Sequence, residues 1–204
     1  MFWRQKELKY DILIPPIDKP FENFSAKEAN DYFHWYVDKI MERNVYLSLF
    51  SGLELDYSLS SLIDIWGWFL KYAEIEKTPS SKLNFIKKQL SNSPFLHDVL
   101  VESKVQFSLE TEYIMKDIAM YYGEVFVRNH KNIEWGYFTD TAKDSFANMP
   151  VLMGFEDRDY EPPFQSSVDP NGTIESCALN ILDHTQNKMD LMKAYEKKLR
   201  MVHD

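Results

Sequence analysis

Cysteine occurs once in this chain of 204 residues, at Cys177. No intrachain disulfide can form, which excludes the stapled framework of a small secreted scaffold and fits a reducing compartment. Glycine is scarce at six and proline at nine, too few for collagen-like or low-complexity sequence. Basic residues fall short of acidic ones, 23 against 32, for a formal charge of −9. Binding nucleic acid by phosphate neutralisation, or docking on anionic lipid, needs clustered Lys and Arg and is not expected. No run approaches the roughly 20 apolar residues of a membrane helix; the longest, residues 57–70, is interrupted by Asp64 and three serines. The N-terminus is charged within its first nine residues and lacks the apolar core of a signal peptide. The expectation is a cytoplasmic protein, in which the glycosylation-like triplets at Asn23 and Asn171 are chance matches. Also missing are Gly-x-Ser-x-Gly, a Gly-rich phosphate loop and His-Glu-x-x-His.

What is present is the material of a packed core. Apolar residues make up 45% and aromatic residues 15%, which excludes a disordered chain. Residues 1–22, with Pro15, Pro16 and Pro20, read as an extended lead-in. Ser25 three residues before Glu28 is a capping-box spacing. The stripe Phe33, Tyr36, Val37, Ile40, Met41 and Leu47 then predicts a helix over about 26–50, stopped at Ser51-Gly52. A very apolar helix follows from Ser58 or Ser60 to Ala73, with most of its circumference expected inside. Two shorter helices are expected over about 80–91 and 94–103. A fifth, over about 109–130 behind Ser108, contains Gly123, which costs about 1 kcal/mol relative to Ala and implies a close packing contact.

The period then changes. Ile133 to Phe138 and Val151 to Phe155 alternate as strands, expected to form an antiparallel pair. Residues 156–173 read as an acidic, Pro-containing loop with a turn at Asp169-Pro170-Asn171-Gly172. From Ile174 a long final helix is expected, with a possible break at 184–187. No internal repeat or separating linker is present. The fold class is α+β: one predominantly helical domain over 1–204, with a small antiparallel sheet after the fifth helix and a long C-terminal helix.

Two carboxylate groupings are candidates for chemistry. Asp31, His34, Asp38 and Glu42 share one face of the first helix at steps of three and four. A di-iron bundle needs Glu-x-x-His on two helices, and the second motif is missing, so the grouping reads as the solvent face of an amphipathic helix. Glu110, Asp117 and Glu124 lie at steps of seven on the fifth helix. Partial burial would raise a carboxyl there toward general acid–base use, or the row pairs with arginine at a boundary. Cys177 falls on an inner stripe and reads as a small core residue. No cofactor or metal is expected.

Charge is uneven along the chain. From Glu134 to Asp183 there are ten acidic residues against Lys143 and Arg158. Within this stretch Glu156, Asp157, Asp159 and Glu161 interleave with Tyr160 and Phe164. Acid beside aromatic surface suits a basic protein partner.

The segments Met120 to Val127, Ile133 to Tyr137 and Met149 to Phe155 resemble small uncharacterised bacterial proteins, some of them immunity-like members of toxin–immunity neighbourhoods. The resemblance covers about residues 110–155. It implies a structural junction in which Gly123 allows close approach, Glu124 bonds nearby backbone and Trp135 packs on the helix, and it brings no catalytic residue. The reading is a non-enzymatic, immunity-like binding protein. The alternatives are a metal-assisted hydrolase, which requires carboxylates of different helices to converge, and an apolar-ligand carrier, which requires a cavity of several hundred Å³.

Overall fold

The computed structural model describes residues 9–89, 104–139 and 147–203. After the lead-in and a single 3-10 turn at Phe21–Asn23, helix α1 spans Ala26–Ser51. Its start is set by the capping box: the Ser25 hydroxyl accepts from the Glu28 amide, and the Glu28 carboxylate accepts from the Ser25 amide at 2.8 Å. Its end is set by Gly52 in the left-handed region (φ +70°), whose N–H donates to the Ser48 carbonyl. Helix α2, Leu59–Tyr72, is capped by Ser58. From Ser61 to Leu70 only Asp64 is exposed, as its composition requires.

Strand β1 (Ile75–Lys77), helix α3 (Ser80–Gln89) and strand β2 (Val105–Phe107) follow, the two strands pairing antiparallel with Ile75 opposite Phe107. These three-residue strands were not expected; with β1 exposed and β2 only partly covered, both are too short to carry an alternation. The helix expected over 94–103 lies outside the described residues.

Helix α4, Leu109–Asn129, is the centre of the molecule. Thirteen of its 21 residues are buried, and it packs on α1, α2 and the helix α5 at Pro170–Leu182. The second sheet orders β3 (Glu134–Gly136), β4 (Val151–Asp157) and β5 (Phe164–Val168) side by side, all antiparallel, with Trp135 opposite Leu152. The register slips between Leu152 and Phe155. Gly154 sits at that bulge with φ +98°, where a Cβ would collide with the Asn132 carbonyl, so the position requires glycine.

Two parts of the C-terminal half differ from expectation. The segment 156–173 is not a loop throughout: its middle is strand β5. Asp169-Pro170 starts a helix instead of a turn. The Asp169 side chain accepts from the Asn171 amide and Pro170 occupies the first helical position, where its missing N–H costs nothing. The final helical stretch divides where a break was expected: α5 and α6 (Asp190–Leu199) are separated by residues 183–189, with His184 at φ +56°.

One main core joins α2, α4, the β-sheet and the two C-terminal helices around Trp66, Tyr122, Phe126, Phe155 and Tyr195. A smaller one unites Tyr36, Ile40 and Met120 between α1 and α4. The buried side of α1 is not quite the expected stripe. Arg43 and Asn44 are inside, whereas Met41 is 52% exposed.

Candidate functional site

Four residue groups compete for a functional role. On the outer face of α1, Asp31, His34, Asp38 and Glu42 are all exposed, and Glu42 is engaged by Lys39 at 2.6 Å. Among the described residues no group of three or more His, Cys, Asp or Glu is placed to hold a metal ion.

The row Glu110, Asp117 and Glu124 runs along α4, its members about 10 Å apart by helix geometry. Each binds a different set of partners. Glu110 accepts from the Tyr72 hydroxyl at 2.6 Å. Asp117 is deeply buried and receives Arg43 of α1 at 2.6–3.1 Å and the Tyr10 hydroxyl from the lead-in. Burial raises the Asp117 carboxyl above its ordinary range, against the pull of Arg43 and Tyr10. Burial also works against the Arg43 charge, but the Asp117 contacts outweigh it and hold the guanidinium firmly protonated. Arg43 further donates to the Asp11 carbonyl at 2.8 Å and stacks 4.6 Å over the Tyr46 ring. This buried pair ties lead-in, α1 and α4 together, and its oxygens are committed to protein donors. Sequence reasoning missed Arg43 and Tyr10, because partners 74 and 107 residues distant leave no local pattern.

Glu124 belongs to the junction with Gly123 and Trp135. Where backbone partners were expected, its two oxygens are met by side chains: it accepts from Arg128 at 3.0 Å and from the Trp135 indole N–H at 3.0 Å. A Cβ at position 123 would overlap the six-membered ring of Trp135. The same indole meets Tyr36 edge-on at 5.5 Å. Glu124, Arg128 and Trp135 form a joint between helix and sheet in which the carboxylate and the indole N–H are paired with each other. Cys177 lies inside α5, its thiol pushed up to about 11 by burial and by Asp190, and is unsuited to nucleophilic work.

The acidic residues of the 156–164 segment occupy a hairpin. Glu156 and Asp157 end β4, Phe164 begins β5, and Asp159, Tyr160 and Glu161 lie in the turn between them. Glu156 pairs with Arg158 at 3.1 Å, and the Asp157 carboxylate accepts from the Asp159 amide. Tyr160 and Phe164 are 63% and 62% exposed and face each other edge-on at 6.4 Å.

The fourth group was not assembled by sequence reasoning. A cleft of about 310 Å³ opens between the lead-in, α1, α4, Met149-Pro150 and the first turns of α5. Aromatic rings dominate its walls, with Tyr32 and Trp35 at 5.3 Å and Phe21 and Tyr32 at 5.1 Å. Asp117 and Tyr36 are among its lining residues. Tyr36 is buried, and its hydroxyl makes no hydrogen bond among the described residues.

Compared with known protein families, curated proteins and solved structures, the chain matches none.

Proposed function

We propose that the protein works by binding a basic protein partner through the acidic tip of the β4–β5 hairpin, an immunity-like role without catalysis. The observation that carries this reading is the exposed Tyr160–Phe164 pair flanked by Asp157, Asp159 and Glu161. Two large rings held in water at a strand end offer apolar contact, and the surrounding carboxylates steer a cationic surface toward it. Both rings stand on a hairpin anchored in a three-stranded sheet, which limits the ordering cost of docking. The reading places the protein in the cytoplasm, in keeping with its single, buried thiol. A metal-assisted hydrolase is disfavoured by the carboxylates themselves: those on α1 point to solvent and those on α4 are held by separate structural partners.

The test begins with a native-cell pull-down using the wild-type chain and the triple variant Asp157→Asn, Asp159→Asn, Glu161→Gln in parallel. Association rates against salt are then measured for a protein captured by the wild type. The triple variant should associate at least several-fold more slowly at low salt, with a flatter salt dependence and unchanged circular dichroism. A partner that binds both forms at the same rate removes the hairpin from the interface.

A further inference from the structure

The aromatic cleft carries a separate inference, independent of the hairpin and sharing no residue with its tip. Its chemistry can be specified by pairing off its charges. Asp117 is neutralised by Arg43. Lys19 is paired with Glu28 at 2.7 Å. Lys116 sits 4.4 Å over the Tyr113 ring, and Glu175 stands at the rim, its carboxyl raised by burial and by Asp169 against the pull of Lys116. Asp18 is exposed to water. The deep part of the cleft therefore presents no unmatched charge. It presents aromatic faces and edges, the Met120 side chain and one uncommitted polar atom, the Tyr36 hydroxyl, on a residue only 4% exposed.

A buried hydroxyl without a partner is disfavoured relative to water, whereas one that meets a ligand acceptor or donor recovers that loss. Asn171 of α5 approaches the Tyr36 hydroxyl without completing a hydrogen bond, and the Asp169 and Asp117 carboxylates lie near enough to act on it. A charged ligand would have to leave water for a site whose charges are already matched, a net cost. A flat neutral ring gains the stacking surfaces of Trp35, Tyr32 and Tyr113 without that cost. The volume is at the small end of the range for small-molecule sites and suits a molecule of about two fused rings.

We infer that the cleft between the lead-in, α1, α4 and α5 is a binding site for a small neutral aromatic molecule bearing one hydrogen-bonding group, which the Tyr36 hydroxyl receives. The site is positioned to report its state: Tyr36 touches Trp135, which seats on Gly123 of α4.

The test uses three naphthalene probes of similar shape on the full chain: 2-naphthol, 2-naphthoate and 2-(aminomethyl)naphthalene. Isothermal titration calorimetry measures affinity, and indole resonances in NMR locate the site. The expected result is 1:1 binding of 2-naphthol that perturbs Trp35 and Trp135, with both charged probes weaker by tenfold or more. Tyr36→Phe removes only the hydroxyl and should weaken 2-naphthol by about tenfold, the worth of roughly one hydrogen bond, while leaving unsubstituted naphthalene unaffected. Tyr113→Ala, at the half-buried wall, should weaken both neutral probes. The hairpin triple variant should bind 2-naphthol as the wild type does, so either reading can fail alone. The inference is overturned if 2-naphthol does not bind at millimolar concentration, if a charged probe binds more tightly, or if Tyr36→Phe treats 2-naphthol and naphthalene alike.

Discussion

Replacing Arg43 with methionine preserves much of the side chain's length and apolar stem but deletes the guanidinium. Asp117, its side chain 2% exposed, would then keep a single strong donor, the Tyr10 hydroxyl. Removing one member of a buried ion pair costs about 3–5 kcal/mol, because the remaining charge is stranded in a poorly solvating interior. The loss of stacking on Tyr46 and Tyr10 contributes about 0.5–1 kcal/mol more. The Tyr10 bond to Asp117, by contrast, persists and offsets part of the penalty. The balance is a destabilisation of about 4 kcal/mol at neutral pH, measurable as a shift of the urea midpoint at constant slope.

The reciprocal change, Asp117→Asn, should cost less, since the guanidinium retains the Asp11 carbonyl at 2.8 Å and the solvent-exposed Asp11 carboxylate at 3.6 Å. The double variant Arg43→Met, Asp117→Asn should be more stable than the sum of the single losses implies, with a coupling of about 2 kcal/mol. The pH dependence supplies an internal control. Burial already raises the folded-state pKa of Asp117 above its ordinary 3.8, and Arg43 is the main opposing influence. Without Arg43 that pKa rises further. A carboxyl raised on folding contributes its stability below the unfolded value and loses it as pH climbs through the folded one. The Arg43→Met deficit should therefore be smallest near pH 4 and grow toward neutrality. A loss below about 1 kcal/mol, or a deficit independent of pH, would mean that Asp117 is solvated and that the ion pair does not organise the α1–α4 contact.

Gly123→Ala should destabilise by about 1–2 kcal/mol in thermal or chemical unfolding, because overlap with Trp135 outweighs the roughly 1 kcal/mol that alanine gains inside a helix; in a Trp135→Leu background the same substitution should become neutral or stabilising. Trp135→Ala alone should cost about 3 kcal/mol, through loss of the Gly123 and Tyr36 contacts and the Glu124 bond. The capping carboxylate Glu28 is pulled down from its ordinary 4.5 to about 2 by hydrogen bonds from Lys19 and Ser25, so its contribution is present above pH 4.5 and disappears as pH falls through 2. Glu28→Gln should accordingly lower the melting temperature at pH 7 and match the wild type near pH 2.

The start of α1 was legible because its determinants are adjacent: Ser25 and Glu28 complete the cap within four residues, and Gly52 closes the helix on its own last turn. The same locality misleads at Asp169-Pro170-Asn171-Gly172. Those residue types satisfy a turn and a helix start equally well, and what decides is that Ile174, Cys177 and Ala178 find the core when the helix begins four residues earlier. Binary pattern also failed on α1, where Met41, Val45 and Leu49 recur at helical spacing yet are all more than half exposed, while Arg43 lies inside. An arginine can occupy that position only because Asp117 and the Asp11 carbonyl arrive from 74 and 32 residues away. The lead-in, which its prolines marked as merely extended, inserts Tyr10 into the core to complete the same network and then supplies Phe21 and Phe24 to the cleft. The cleft was illegible for the same reason as the ion pair. Its wall residues come from the lead-in and α1, from α4 and from residues 149–175, and only the seating of the lead-in against α1 and α4, held by Arg43, brings their rings together. Stability and binding are therefore linked in this protein: a substitution that releases Tyr10 or Arg43 should open the aromatic wall before it unfolds the main core, which rests on α2, α4 and the two C-terminal helices.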